Sequence, residues 1–190
     1  MTPLASSLSK YADPDRAPGA TVTIPTLHTP RLTLRAPRLE DFEHWAAFFA
    51  SDRSVFERGR KSREDAYVTW ATDVALWQLR GYGAFGVEDR ATGAYLGEVG
   101  IYQPEGFPGP ELGWFTIPEA EGKGIAFEAA QAVIGWLKET RDWPFVTSII
   151  DPNNARSIAL GLRLGGAIDT TLPGIDPGDV VIRHDLRGAA

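Results

Sequence analysis

Cysteine is absent from this 190-residue chain, which excludes disulfides, thiolate nucleophiles and cysteine-ligated metals. Its three histidines, His28, His44 and His184, are too scattered to make a metal site, so no metal is expected. No run of about 18 apolar residues occurs, and so no membrane-spanning helix is expected. The opening residues lack a basic start followed by an apolar stretch, so they do not read as a secretory signal. Excess positive charge is missing too. With 19 Lys and Arg against 25 Asp and Glu, the formal charge is −6. That balance argues against broad nucleic-acid binding and mildly favours a cationic partner. A soluble, cytoplasmic protein without membrane or nucleic-acid partners is the expectation.

What is present reads as one globular domain. Hydrophobic residues make up 43% and charged residues 23%, ordinary values for a chain that buries a core. Residues 1–25 are rich in Ala, Ser, Pro, Thr and Asp without periodicity and read as a flexible extension. Residues 26–188 read as the domain. It opens on an alternating strand, Thr29 to Arg35. A helix from about Leu39 follows, with Leu39, Phe42, Trp45 and Phe49 on one face. A second helix starts near Ser62, which is placed as its N-cap. Its predicted buried stripe is Tyr67, Trp70, Val74 and Trp77, and Gly81 ends it. Two strands, Tyr82–Glu88 and Tyr95–Tyr102, flank a hairpin turn with Gly93.

The stretch Glu111–Leu137 carries the densest signal. Leu112 to Ile117 alternate as a strand that Pro118 stops. A glycine-spaced turn, Glu121-Gly122-Lys123-Gly124-Ile125-Ala126, comes next. Ala126, Ala130, Val133 and Leu137 then recur at helical spacing. Strand, glycine turn and helix N-terminus together suit an anion: the first helical turn leaves N–H groups unpaired, and glycine lets the backbone approach a phosphate. Beyond this lie a buried strand, Phe145–Ile150, a helix from Ala155 to Leu164, and two final strands near Ala167–Leu172 and Val180–Leu186. The order is β-α-α-β-β-β-α-β-α-β-β.

The turn at Glu121–Ala126 resembles the acetyl-CoA-binding motif of the GCN5-related N-acetyltransferases (GNAT), (Q/R)-x-x-G-x-(G/A), with Glu121 standing where Gln or Arg is usual. The words TPRLTLRAPRLEDF, from Thr29, resemble the start of the branch containing ribosomal-protein-alanine N-acetyltransferases (RimJ/RimL-like). The element order agrees with that superfamily over about Leu27 to Leu186. The resemblance implies an α/β (α+β) single-domain fold. Its mixed, mostly antiparallel sheet would have about six or seven strands, splayed at the cofactor site and flanked by about four helices.

The resemblance also implies the chemistry. Acetyl-CoA would donate its acetyl group to a primary amine, on a protein N-terminus or a small molecule, by direct attack in a ternary complex. Pantetheine would pair with the backbone of Phe115, Thr116 and Ile117. The phosphates would lie on the N–H groups of Gly122, Lys123, Gly124, Ile125, Ala126 and Phe127, with Lys123 as a supporting charge. Glu111 would draw the proton from the amine, with Glu98 as second candidate. Asn154-Ala155-Arg156-Ser157 matches the family's N-x-x-S segment, placing Asn154 by the pantetheine and Ser157 by the sulfur. Gly161 stands where many members have a tyrosine acid, which leaves Ser157 or water as proton donor. Arg53, Arg58, Arg60, Lys61 and Arg63 read as a basic loop facing solvent, an acidic group on the acceptor or a CoA phosphate. Partners would be acetyl-CoA and the amine acceptor, and relatives often form homodimers. Two alternatives stay open: a non-catalytic acyl-CoA-binding or interaction module, and a transferase using another acyl-CoA.

Overall fold

A computed structural model describes residues 22–187. An eight-stranded sheet runs through it: β1 (Leu27–His28), β2 (Leu32–Arg35), β3 (Ala84–Asp89), β4 (Tyr95–Tyr102), β5 (Glu111–Thr116), β6 (Phe145–Ile150), β7 (Ala167–Ile168) and β8 (Val180–Asp185). The sheet order is β1-β2-β3-β4-β5-β6-β8-β7, and every pairing is antiparallel except β5 with β6. The helices are α1 (Phe42–Ala50), α2 (Arg63–Arg80), α3 (Ile125–Thr140) and α4 (Ala155–Arg163). This is the α/β, mostly antiparallel fold that the element order implied.

The two faces of the sheet have different cores, and period-2 alternation assigns them. Leu112, Val99 and Ile101 meet Ala129, Ala130, Val133 and Leu137 of α3 on one face. On the other, Phe115 packs with Phe42, Trp45 and Phe49 of α1 and with Ala66 and Trp70 of α2. Local signals fix the helix ends. Ser62 caps α2 by accepting from the Asp65 amide, and Gly81 closes it at φ +73°. Asn154 caps α4 by accepting from the Ser157 amide.

Several details depart from the expectations. Leu39 is 67% exposed, because a 3-10 turn over Leu39–Asp41 precedes α1 and turns that residue away from the helix face. The buried stripe of α2 is Ala66, Trp70, Asp73, Leu76 and Trp77. Tyr67 is exposed and Asp73 is inside. The first strand splits into a hairpin, with Thr29 accepting the chain back from Leu32. The strand expected over Ala167–Leu172 stops at Ile168, since the Asp169 carboxylate folds back onto the Thr171 amide and hydroxyl. Most of the expected flexible extension, residues 1–21, lies outside the described residues. Its last part does not behave as an extension, because Val22 and Ile24 pack against the main core.

Candidate functional site

The parallel junction of β5 and β6 fails after one residue pair, Glu111 with Thr147. At the point of divergence, backbone groups that have lost a ladder partner find side chains instead. The Ser148 hydroxyl donates to the Leu112 carbonyl at 2.7 Å. The Ile149 amide donates to Glu111 Oε1 at 3.3 Å. With its one proton on Leu112, Ser148 Oγ accepts from His184 Nε2 at 3.1 Å. Burial then keeps His184 neutral, lowering its pKa to about 4. The strands are therefore held apart by a buried polar plug.

Alternation decides which groups of β5 face the opening. Leu112 and Thr116 direct their carbonyls away from β4, toward Ser148 and Arg53. Trp114 lies between them and shares their orientation. The Ile117 amide instead donates to Leu96 at 3.0 Å, on the β4 side. The backbone left to pair along the opening is thus that of Trp114 and the amide of Thr116, whose carbonyl already accepts from Arg53, whereas Phe115 and Ile117 bond toward β4.

A cleft of about 600 Å³ borders β5 past that junction. Its floor includes Trp114, Phe115 and Thr116; one wall is Gly122, Gly124, Ile125, Ala126 and Phe127, and the other is Asn154 and Ser157. Gly122 and Gly124 have φ of +71° and +75°, a region that costs other residues about 1–2 kcal/mol. Nothing lies within 4 Å of where a Gly122 side chain would begin, so the turn leaves open space over the first N–H groups of α3. Those amides, with the helix dipole, make an anion cradle. A phosphate-bearing cofactor of the CoA type fits these residues. Glu111, Ile117 and Lys123 are not part of the lining. The Lys123 carbonyl instead accepts from Arg31 at 3.0 Å.

Glu111 stands half-buried at the inner end of the opening. Burial, and then the charge of Glu57 at the cleft, raise its pKa to about 8. Glu98 is 1% exposed. It accepts from Trp45 Nε1 at 3.1 Å and from the Tyr102 hydroxyl at 2.8 Å. Burial and then Asp73 push it to about 8 as well. With both oxygens bonded beneath α1, Glu98 is a core acid, whereas Glu111 accepts one bond and is half-buried where β5 and β6 diverge. Among the described residues no group of three or more His, Asp or Glu is placed to hold a metal ion.

Gly161 does not face the cleft. A Cβ there would come within 2.7 Å of Ile182 Cδ1, so its smallness lets α4 seat on β8. Sequence reasoning missed the Ser148–His184 plug and Asp73. Their signals were a serine inside an apolar strand run and an acid at a buried helical position. Arg53, read with its neighbours as facing solvent, an acidic acceptor group or a CoA phosphate, lines the cleft together with Glu121 and Arg156.

Comparison with known proteins agrees with this geometry. The model of the acetyltransferase (GNAT) domain family matches residues 31–167. The crystal structure of an acetyltransferase from Agrobacterium tumefaciens str. C58 superposes with a TM-score of 0.82 at 37% identity, covering 89% of this chain and 99% of that one. A ribosomal L7/L12 alpha-N-protein acetyltransferase, RimL, in complex with coenzyme A shares the fold at a TM-score of 0.66 and 15% identity, covering 85% and 98%. An uncharacterized protein of Bacillus subtilis (strain 168), YkkB, is 32% identical over 96 residues, 47% of this chain. The match spans 56% of that relative's own length.

Proposed function

This chain belongs to the acetyltransferase (GNAT) family, and we propose that it is an acetyl-CoA-dependent N-acetyltransferase acting on a primary amine by direct attack in a ternary complex. The observation that carries the reading is the opened β5 edge. Its backbone and the anion cradle line one cleft, and a half-buried carboxylate with a raised pKa, Glu111, stands where β5 and β6 part. The RimL structure with coenzyme A supports CoA as the kind of ligand that such a fold takes. In this reading residues 26–188 are the acetyltransferase domain, with Val22 and Ile24 packed against its core, and the acetyl donor comes from the cytoplasmic pool.

Each residue then has a task. Trp114 and Thr116 pair with the amides of the pantetheine arm, and Phe115 supplies the apolar floor through its ring. The amides of Gly122, Gly124, Ile125, Ala126 and Phe127 face the diphosphate. Glu111 takes a proton from the incoming ammonium, leaving a neutral amine to attack the thioester carbonyl. The new C–N bond forms as the C–S bond breaks, the thiolate takes a proton from Ser157 or from water that Ser157 orders, and the second proton lost by the acylated nitrogen restores that donor. A base with a pKa near the working pH is well matched to this step. Asn154 acts through Ser157, whose amide it holds at 3.2 Å.

Thermal unfolding with and without acetyl-CoA tests the cofactor assignment. Ligand at about 100 times its dissociation constant adds ~2.7 kcal/mol of stability, a visible midpoint shift. Thiol release on mixing acetyl-CoA with amine-terminated peptides or small amines tests the transfer. No midpoint shift at millimolar acetyl-CoA overturns the reading. A shift with no thiol release on any amine, and none with other acyl-CoAs, favours the non-catalytic module.

A further inference from the structure

Glu121 takes the motif position where the family resemblance leads one to expect Gln or Arg, and a lone carboxylate there would repel a diphosphate. It is not alone. Arg53, from the 3-10 turn after α1, forms an ion pair with one Glu121 oxygen and donates to the Thr116 carbonyl at 2.7 Å. Arg156, in the first turn of α4, donates to the other oxygen at 3.0 Å. All three residues line the cleft. The bonds from Arg156 and Arg53 outweigh the effect of burial and hold the Glu121 carboxyl below its ordinary range. It therefore stays charged through neutral pH, and the trio carries a net charge of +1.

The geometry points to a two-arginine diphosphate clamp, in which Glu121 is the positioning residue and Arg53 and Arg156 are the anion ligands for a CoA-type cofactor. The inference rests on the transferase reading and deepens it. A guanidinium has five N–H donors in a rigid fork. Each arginine spends one or two of them on Glu121 and Thr116 and keeps others for phosphate oxygens. Glu121 thus converts two side chains from distant parts of the chain into a pre-oriented cationic pair beside the Gly122–Gly124 turn, removing ordering entropy that binding would otherwise oppose. Phe48 flanks the Arg53 guanidinium, 5.6 Å from its ring centre, limiting its swing. Arg53 also ties the cofactor wall to the 3-10 turn whose Val55 and Phe56 line the same cleft.

Isothermal titration of the full chain with CoA, dephospho-CoA and pantetheine tests the clamp. Dephospho-CoA retains the diphosphate and loses only the 3′-phosphate; pantetheine has no phosphate. Arg53→Ala and Arg156→Ala are each expected to weaken CoA and dephospho-CoA by about tenfold, the usual worth of a charge-assisted hydrogen bond. The ratio of the pantetheine to the CoA dissociation constant then falls by the same factor. Glu121→Gln is expected to weaken both nucleotides several-fold, although it removes a negative charge from an anion site. Arg53→Lys keeps the charge without the fork and is expected to fall between wild type and Arg53→Ala. Tighter CoA binding by Glu121→Gln overturns the proposal, since the carboxylate then merely repels. Equal weakening of pantetheine and CoA overturns it too, by assigning the loss to folding. Loss of CoA affinity but not of dephospho-CoA affinity moves the arginines to the 3′-phosphate and overturns it as well. An unsubstituted chain that binds no CoA overturns the transferase reading itself, and the clamp with it.

Discussion

Glu111→Gln is expected to make the protein more stable at neutral pH while removing most of its turnover. The side chain keeps its shape, and Gln Oε1 can still accept from the Ile149 amide. What goes is a carboxyl raised from 4.5 to about 8 by burial. Between those two values the folded state holds a proton that the unfolded chain releases, so wild-type stability falls as pH rises through this window. At pH ~7.5 the full shift opposes folding by about 4 kcal/mol. Because Glu111 is partly open to solvent, ~1–2 kcal/mol is the more realistic gain for the variant. Turnover is expected to fall by about 10²–10⁴, the range for losing a general base. Wild-type kcat/KM should climb with pH to a plateau above about 8, and the residual activity of the variant should lack that limb. Urea unfolding and rate profiles over the same pH series check both halves. A variant that loses turnover and stability together refutes the reasoning, because Glu111 would then be holding β6 in place. A wild-type profile without a limb near 8 refutes the assignment of the base.

Glu98→Gln, beneath α1, is expected to stabilise the protein between about pH 5 and pH 8 and to cut kcat by less than about tenfold, because a bonded core acid makes no contact with the reacting atoms; matched unfolding and kinetic series test it. Ser148→Ala leaves the Leu112 carbonyl without its donor and should cost about 1–3 kcal/mol, read by urea unfolding, with weaker acetyl-CoA binding as β5 and β6 lose their spacing. Gly124→Ala introduces a Cβ that meets only Arg31 Nη2, at an ordinary 3.6 Å. Its penalty is the φ of +75°, about 1–2 kcal/mol, and the ligand-induced thermal shift should shrink as the turn relaxes.

The elements that periodicity and turn chemistry control were legible in the chain: β4, β6, α3, and the caps at Ser62 and Gly81. The turn at the start of α3 was legible because glycine is the residue that takes the φ of +71° and +75° found at Gly122 and Gly124 without strain. Trp70 and Trp77 of the expected α2 stripe are buried, but Tyr67 is exposed and Asp73 is inside, because hydrophobicity ranks Tyr67 above Asp73 and only the packing of α2 shows which one faces inward. The strand at Ala167 was drawn too long because the Asp169 side-chain bonds that end it carry no hydropathy signal.

By itself, then, the sequence determined what depends on neighbours along the chain: helix and strand periods, caps, the glycine turn, and which residue types lie near it. Tertiary structure decided whatever depends on residues brought together from afar. Thirty-six positions separate Ser148 from Leu112, and their contact sets where the sheet opens. Sixty-eight positions separate Arg53 from Glu121, and their pairing turns an unfavourable acid into the centre of a cationic site. Strand phase is tertiary in the same sense. Which of Trp114, Phe115 and Thr116 offers its backbone to the cleft follows from the hydrogen-bond register of β5 on β4, and no property of those three residues alone encodes it.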